Sequence, residues 1–450
     1  MKDCSIILNT IEEGKDRILA AERHIWKHPE TGYREWKTHA FLKEQYEALG
    51  CTLTEFGNIP GFYTDLDSGR PGPCLAIFGE LDSLIVPTHP ECDPETGAVH
   101  ACGHNCQSAA LLGIAIGLTA PGALDGLSGK IRLIAVPAEE LIELEYRQEL
   151  KDKGIIRFFG GKQELMARGV LDDVDLAMMI HTGNHPGYTC GIGSNGCMLK
   201  QYTFRGLSAH AGGSPHNGIN ALYAANVALN AANALRETFR DSDHVRFHPI
   251  ITAGGSAVNA IPDFVTIEAY VRAATMPAIE RYSEKINRAF AAAAASIGCE
   301  LTIRDCHGYA PRFNDPEMSR VMQEAAGEIL PEDRIEVTSN FGTGCSDMGD
   351  VSSVMPALHP AIGGYTGHGH GNDLYITDPY LATVVSAKIQ ALGAARFLEN
   401  GAEKARRVIA QKQVVFNSIP EYLEAMDRLT FTAEAVRYEE DGTVSLRYKA

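Results

Sequence analysis
The run His100-Ala-Cys-Gly-His-Asn-Cys106 crowds two histidines and two cysteines into seven residues, and an apolar, small-residue stretch follows it. Three chemistries use such side chains. A thiol–disulfide pair wants Cys-x-x-Cys, but here three residues separate Cys102 from Cys106. A structural zinc site wants a second knuckle of closely spaced ligands, and no other cysteines supply a matching one. A catalytic metal centre wants a few ligands here and the rest from distant strand ends. Those exist: Glu139 and Glu140 in PAEE, His181, and the pair His368 and His370. Such groups at strand ends also occur as hydrogen-bonded core residues, so residue types alone leave both a metal centre and a polar core open.

The elements that must position them follow from apolar patterning. CLAIFGELDSL (74–84) opens as a continuous apolar strand and ends in acids. KIRLIAVPAEE (130–140) repeats the design, and VDLAMMIHTG (174–183) ends in His181. Continuous apolar strands separated by helical stretches predict a mostly parallel sheet covered on both faces, with ligands at the carboxyl ends of its strands. Helices are predicted over 5–28 and 38–49, the latter ended by Gly50. The acidic run 141–150 reads as a solvated helix face near the mouth of the site. The middle of the chain changes rhythm: strand 200–210, helix 221–239, strands 246–253 and 264–273, helix 276–297, then strand CELTIRDCHGY. That β-α-β-β-α-β order is ferredoxin-like. The fold class is therefore α/β: a mostly parallel-sheet catalytic domain with an inserted ferredoxin-like α+β lid or dimerisation domain. The boundaries are 1–195 and 309–450 for the catalytic domain, with a C-terminal extension ending in a hairpin near Asp441-Gly442, and 196–308 for the insert.

Composition narrows the function. A length of 450 residues favours two domains. The net charge of -17 speaks against a nucleic-acid binder, which needs clustered positive charge. No apolar stretch suggests a membrane span, and the N-terminus lacks the pattern of a signal peptide. Eleven scattered cysteines, an odd number, fit reduced thiols. A cytoplasmic protein is expected, with no nucleic-acid or membrane partner.

Several motifs, in order along the chain, resemble those of the M20 metallopeptidase superfamily. They are RHIWKHPETGYRE, HACGHN, PAEE, GVLDDVD, SAHAGGSPHNGINAL, GGSAVNAIPD, SDMGDVS and HGNDLYITDP. The chain is most similar to the amidohydrolase branch, which includes N-acyl and aminoacyl amino acid hydrolases and aminobenzoyl-glutamate hydrolase subunits. The resemblance implies two divalent metal ions per subunit, zinc or manganese. It matches Cys102, His104, Glu140, His181 and His370 to the metal ligands, with His370 aligning better than His368. It matches Glu139 to the general base and Asp82 to a carboxylate that orients a metal-bound histidine. It matches His210 to an oxyanion-stabilising histidine, often supplied across a homodimer interface, and Asn259 and Arg272 to substrate-binding positions. Beside these roles stand plainer ones. Arg272 is equally a strand arginine in a surface ion pair. Cys106 and Gln107 read as packing or pocket wall, His100 as structural, and Asp347 and Asp350 as either pocket-shaping or capping near Ser346. The resemblance thus implies a metal-dependent amidohydrolase acting on a small amide or dipeptide. The alternatives are a dipeptidase or aminopeptidase-like exopeptidase of the same superfamily, and a metal-binding regulatory subunit without catalysis.

Overall fold
The computed structural model describes residues 2–448 and divides the chain into two compact units. The first comprises residues up to Gly193, Arg312–Phe341 and Ser346–Ile419. The second comprises Ser194–Pro311, Gly342–Cys345 and the chain from Pro420 on.

The first unit is built on a six-stranded sheet. Its spatial order is Thr54–Glu55, Phe62–Asp67, Lys130–Val136, Cys74–Glu80, Leu176–Met178 and Ala357–Leu358. The four strands from Lys130–Val136 onward run parallel, and the two at the other edge are antiparallel. Every residue of Cys74–Glu80 is buried, as a parallel strand covered on both faces requires. Strand 174–183 behaves differently from its prediction. It splits into Leu176–Met178, in this sheet, and His181–Gly183, which joins a second sheet beside Ala361–Gly363.

The small-residue stretch after the cysteine–histidine run is the helix His104–Leu118, buried at all fifteen positions. It can be so deep because it is thin. A Cβ on Gly117 would lie 2.6 Å from Ile11, and one on Gly113 would lie 2.8 Å from Ala387. The N-terminal segment against which it packs is two helices, Ser5–Glu13 and Lys15–Trp26, rather than one. The break falls at Gly14, where a Cβ would come within 3.0 Å of Ile116. The helical run Tyr380–Ala410 is long and apolar enough by composition to cross a membrane, but 94% of its apolar window is buried inside the unit, which makes it a core helix. Its backbone leaves helical geometry at Glu399–Ala402.

The second unit is an antiparallel sheet in the order Arg246–Ala253, Phe264–Ala273, Gly196–Arg205, Glu300–Tyr309, Phe431–Tyr438 and Val444–Leu446. Helices Ala221–Ala234 and Met276–Ile297 pack against it. The first four strands with these helices are the ferredoxin-like arrangement. The last two correct the predicted boundaries. The C-terminal hairpin, assigned by its place in the sequence to the catalytic domain, extends the inserted sheet by pairing Phe431–Tyr438 with Glu300–Tyr309. The edge of that sheet offers unpaired backbone groups, and the tail satisfies them.

Candidate metal centre
The site of the first unit grows from the carboxyl ends of its central strands. Strand Cys74–Glu80 runs into Asp82, and strand Lys130–Val136 runs through Pro137 into Glu139 and Glu140. Gly103 has φ 87°, the left-handed conformation that glycine tolerates, and turns the chain so that His104 opens the buried helix. Gly161 lets a second helix, Gly161–Ala167, approach the PAEE segment, because a Cβ there would fall 1.6 Å from the Pro137 carbonyl oxygen.

Cys102 lies at the middle of the cluster. Candidate ligand atoms of Cys102, His104 and His181 lie within 4.8 Å of one another, as do those of Cys102, Glu140 and His370, and of Glu80, His104 and Glu139. His104 Nδ1 donates to the Asp82 carbonyl at 3.0 Å and lies 3.2 Å from its carboxylate. His181 Nδ1 donates to the Thr182 carbonyl at 2.6 Å. A carbonyl only accepts, so each Nδ1 carries its hydrogen and each Nε2 is left for another role. His181 Nε2 is 3.5 Å from Cys102 Sγ, and His370 Nε2 is 3.4 Å from Glu140 Oε1. His368 stands apart, with a side chain 88% exposed and hydrogen-bonded to Asp373. The structure therefore brings together Cys102, His104, Glu140, His181 and His370, with Glu139 beside them and Asp82 beneath His104.

The electrostatics of this cluster suit a cation. Glu80, Asp82, Glu139, Glu140 and Asp347 are all buried, against buried Lys162 and Arg147. Glu80 Oε2, His104 Nε2 and Glu140 Oε1 are buried, and their close polar neighbours are other members of the cluster: Glu80 Oε2 lies 3.1 Å from His104 Nε2. Burial, then Glu140, pushes the Cys102 thiol well up. Burial works against a charged His104, but Cys102 and Glu80 outweigh it and hold its pKa well above the ordinary range. Burial, then Glu80 and Glu140, raises Glu139 well above the usual carboxylate range. A set of one thiolate, imidazoles and carboxylates fits a borderline divalent cation.

Four residues of this region escaped sequence reasoning. Glu80 lies 3.1 Å from His104 Nε2 and 2.5 Å from the Lys162 ammonium. Lys162 also reaches Asp347 at 2.5 Å, and its backbone N–H donates to the same carboxylate at 2.9 Å. Asp347 is thus part of the site's scaffold and makes no side-chain cap. Arg147 corrects the reading of 141–150 as a solvated face. Helix Leu144–Asp152 buries it completely, and it donates to the carbonyls of Glu140 and, at 2.7 Å, Phe159. His359, buried beside His181 with ring centroids 5.7 Å apart, is the fourth. His100 is fully buried and Cys106 packs in the core, as their plainer readings expect.

His210, Asn259 and Arg272 belong to the second unit. His210 is exposed, and its Nδ1 accepts the N–H groups of Gly212 and Gly213 at 3.1 and 2.8 Å, which puts the ring hydrogen on Nε2. The Asn259 carbonyl accepts the Ala211 N–H at 2.9 Å, so the two segments are tied together. Arg272 forms no surface ion pair among the described residues. Its guanidinium stacks 4.2 Å from the Tyr270 ring, and its buried Nε has no partner.

A buried thiol, imidazole and carboxylate cluster at the strand ends of an α/β unit, with a second acid, Glu139, beside it, suits a metal-dependent hydrolase. Residues 76–392 match peptidase family M20/M25/M40, and the chain belongs to that family. It is a metal-dependent amidohydrolase or peptidase. It is 28% identical over 370 residues to the Xaa-Arg dipeptidase of Mus musculus, covering 78% of this chain and 77% of that one. It is 27% identical over 333 residues to the N-acetyl-L-cysteine deacetylase of Bacillus subtilis, covering 71% and 73%. Among solved structures, a dinuclear metal-binding M20 peptidase of Bacillus subtilis shares the fold, with a TM-score of 0.63, 20% identity, and coverage of 85% of this chain and 98% of that one.

Proposed function
We propose that this protein hydrolyses the amide bond between an acyl or aminoacyl group and an amino acid, using two divalent cations, zinc or manganese. Cys102, His104, Glu140, His181 and His370 would hold them. Cations at these ligands would polarise the amide carbonyl and make a bound water acidic. The observation that carries the reading is the place of Glu139. It is next to Glu140 in sequence, buried, and 3.9 Å from His104 Nε2, so one acid can bind while its neighbour moves a proton. Its elevated pKa suits a group that accepts a proton from water and passes it to the leaving nitrogen. Asp82 fixes His104 from behind. In the second unit, His210 offers an Nε2–H donor, and Asn259 and Arg272 offer further polar contacts, suited to the oxyanion and carboxylate of a substrate. We assign that unit to a homodimer and the protein to the cytoplasm.

The name of the mouse relative favours a second reading, a dipeptidase, which would require recognition of a free α-amine. A hydrolysis screen separates the two. The metal-loaded protein is given N-acetyl amino acids, aminobenzoyl-glutamate, and dipeptides with free or acetylated amines, with Glu139→Gln as control. Turnover of capped amides, abolished in Glu139→Gln with metal content unchanged, supports the amidohydrolase. Turnover of free-amine dipeptides alone supports the dipeptidase. No turnover by protein carrying two cations refutes both.

A further inference from the structure
His359 lies between strands Ala357–Leu358 and Ala361–Gly363, next to Pro360, whose carbonyl accepts the His181 N–H at 2.9 Å. Its backbone N–H is held by Asn314 Oδ1 at 2.9 Å, so its position is fixed by the frame that carries His181. The ring meets His181 edge-on at an interplanar angle of 60°. Arg312 donates from Nη1 to His359 Nδ1. A guanidinium has no acceptor and does not lose its proton in proteins, so Nδ1 must be the bare nitrogen and Nε2 the N–H. That Nε2 is buried and has no hydrogen-bond partner. A donor locked in one tautomer, next to a candidate metal ligand and with nothing to donate to, costs free energy unless something arrives to accept from it.

We infer that His359, oriented by Arg312, contacts the substrate and donates its Nε2–H to an anionic oxygen. This deepens the amide-hydrolysis reading and rests on it for the identity of the substrate. The oxygen belongs either to the carboxylate of the amino-acid half or to the tetrahedral stage of the carbonyl. Both offer the same chemistry, an oxygen bearing negative charge in a dry site, where one fixed donor counts for much. Arg312 is a positioning residue here: without it the imidazole hydrogen is free to move to Nδ1.

The test uses full-length, metal-loaded wild type, His359→Phe, His359→Gln and Arg312→Met. The probes are a phosphinic dipeptide analogue with a terminal carboxylate, the same analogue without it, and amide turnover. Nitrogen-15 histidine spectra should show His359 as the Nε2–H tautomer in the wild type, with that resonance moving when the analogue binds. His359→Phe should bind the analogue about a hundredfold more weakly at unchanged metal content, and His359→Gln should recover most of the loss through its amide N–H. Arg312→Met should weaken binding less and shift His359 toward the Nδ1–H tautomer. Loss seen only with the carboxylate-bearing analogue assigns the contact to the carboxylate, and loss with both assigns it to the oxyanion. Unchanged analogue affinity in His359→Phe, or in both other variants if that one fails to fold, overturns the inference. Wild type that cleaves amides no faster than His359→Phe overturns this contact and leaves the proposed function standing. Wild type that binds the analogue through His359 but cleaves no amide does the reverse.

Discussion
The Asp82 carboxylate grips Glu140 by its backbone: Oδ2 accepts the Glu140 N–H at 2.8 Å, while Oδ1 lies 3.2 Å from His104 Nδ1. One buried acid thereby fixes two residues proposed to hold cations, Glu140 on the extension of strand Lys130–Val136 and His104 at the start of the buried helix. Removing it releases both. Asp82→Ala should fold, because the Asp82 carbonyl still receives His104 Nδ1, but it should bind metal about 10- to 100-fold more weakly. Competition with a chromophoric chelator measures this. Affinity equal to wild type would show that Asp82 does not position the ligands.

Metal uptake should release protons. Without a cation, burial and Glu140 hold the Cys102 thiol protonated, and the Glu80 and Asp82 carboxylates favour an extra proton on His104. A cation takes ligands only in their deprotonated forms, so each must lose its proton on binding. Calorimetric titration of the stripped protein in buffers of different ionisation enthalpy should give at least one proton released per chain near neutral pH. Affinity should rise with pH. Cys102→Ser should lower the proton count, and heat independent of buffer would refute the assignment of Cys102 and His104 as ligands.

Much of this site is legible in the sequence because strand ends announce it. Continuous apolar runs end in Asp82, Glu139–Glu140 and His181, and the Gly103 turn starts a helix too small-sided to lie anywhere but in the core. The residues that escaped are those whose meaning depends on a distant partner. Lys162 reads as an ordinary charge at a helix start until Glu80 and Asp347 are seen around it. Arg147 sits in a run of acids that looks solvated, and only the carbonyls of Glu140 and Phe159 explain its burial. The C-terminal hairpin is legible as a hairpin, but nothing local says that Phe431–Tyr438 pairs with a strand more than a hundred residues earlier.

Lys162 supports a stability prediction. It is wholly buried, and although burial works against its charge, Asp347 and Glu80 outweigh this and raise its pKa. Lys162→Met keeps the stem and removes the ammonium, leaving two carboxylates facing each other without a countercharge. Breaking such a buried group costs about 3–5 kcal/mol. Urea unfolding of stripped protein should show that loss, and Lys162→Met with Asp347→Asn should recover part of it. If Lys162→Met is as stable as wild type, the charge cluster is not what holds the two helices to the strand end.

His100 should make the fold sensitive to mild acid. Its ring is fully buried, neither nitrogen has a hydrogen-bond partner, and burial, then the neighbouring His104, lowers its pKa to about 3. In the unfolded chain the same ring titrates near 6.5. The folded pKa is the depressed one, so the contribution to stability is complete above about 6.5 and is lost as pH falls toward 3, because the unfolded state takes up a proton that the folded state refuses. At pH 5 the accumulated loss is about 2 kcal/mol. His100→Leu removes this linkage while keeping a side chain of similar bulk at a buried position. Stripped wild type and stripped His100→Leu are unfolded in urea at pH 7.5 and at pH 5, so that metal release does not enter. The wild type should lose about 2 kcal/mol more than the variant over that interval. Equal losses would mean that His100 is protonated in the folded state, with its charge accommodated by Asp82, the nearby acid that favours it.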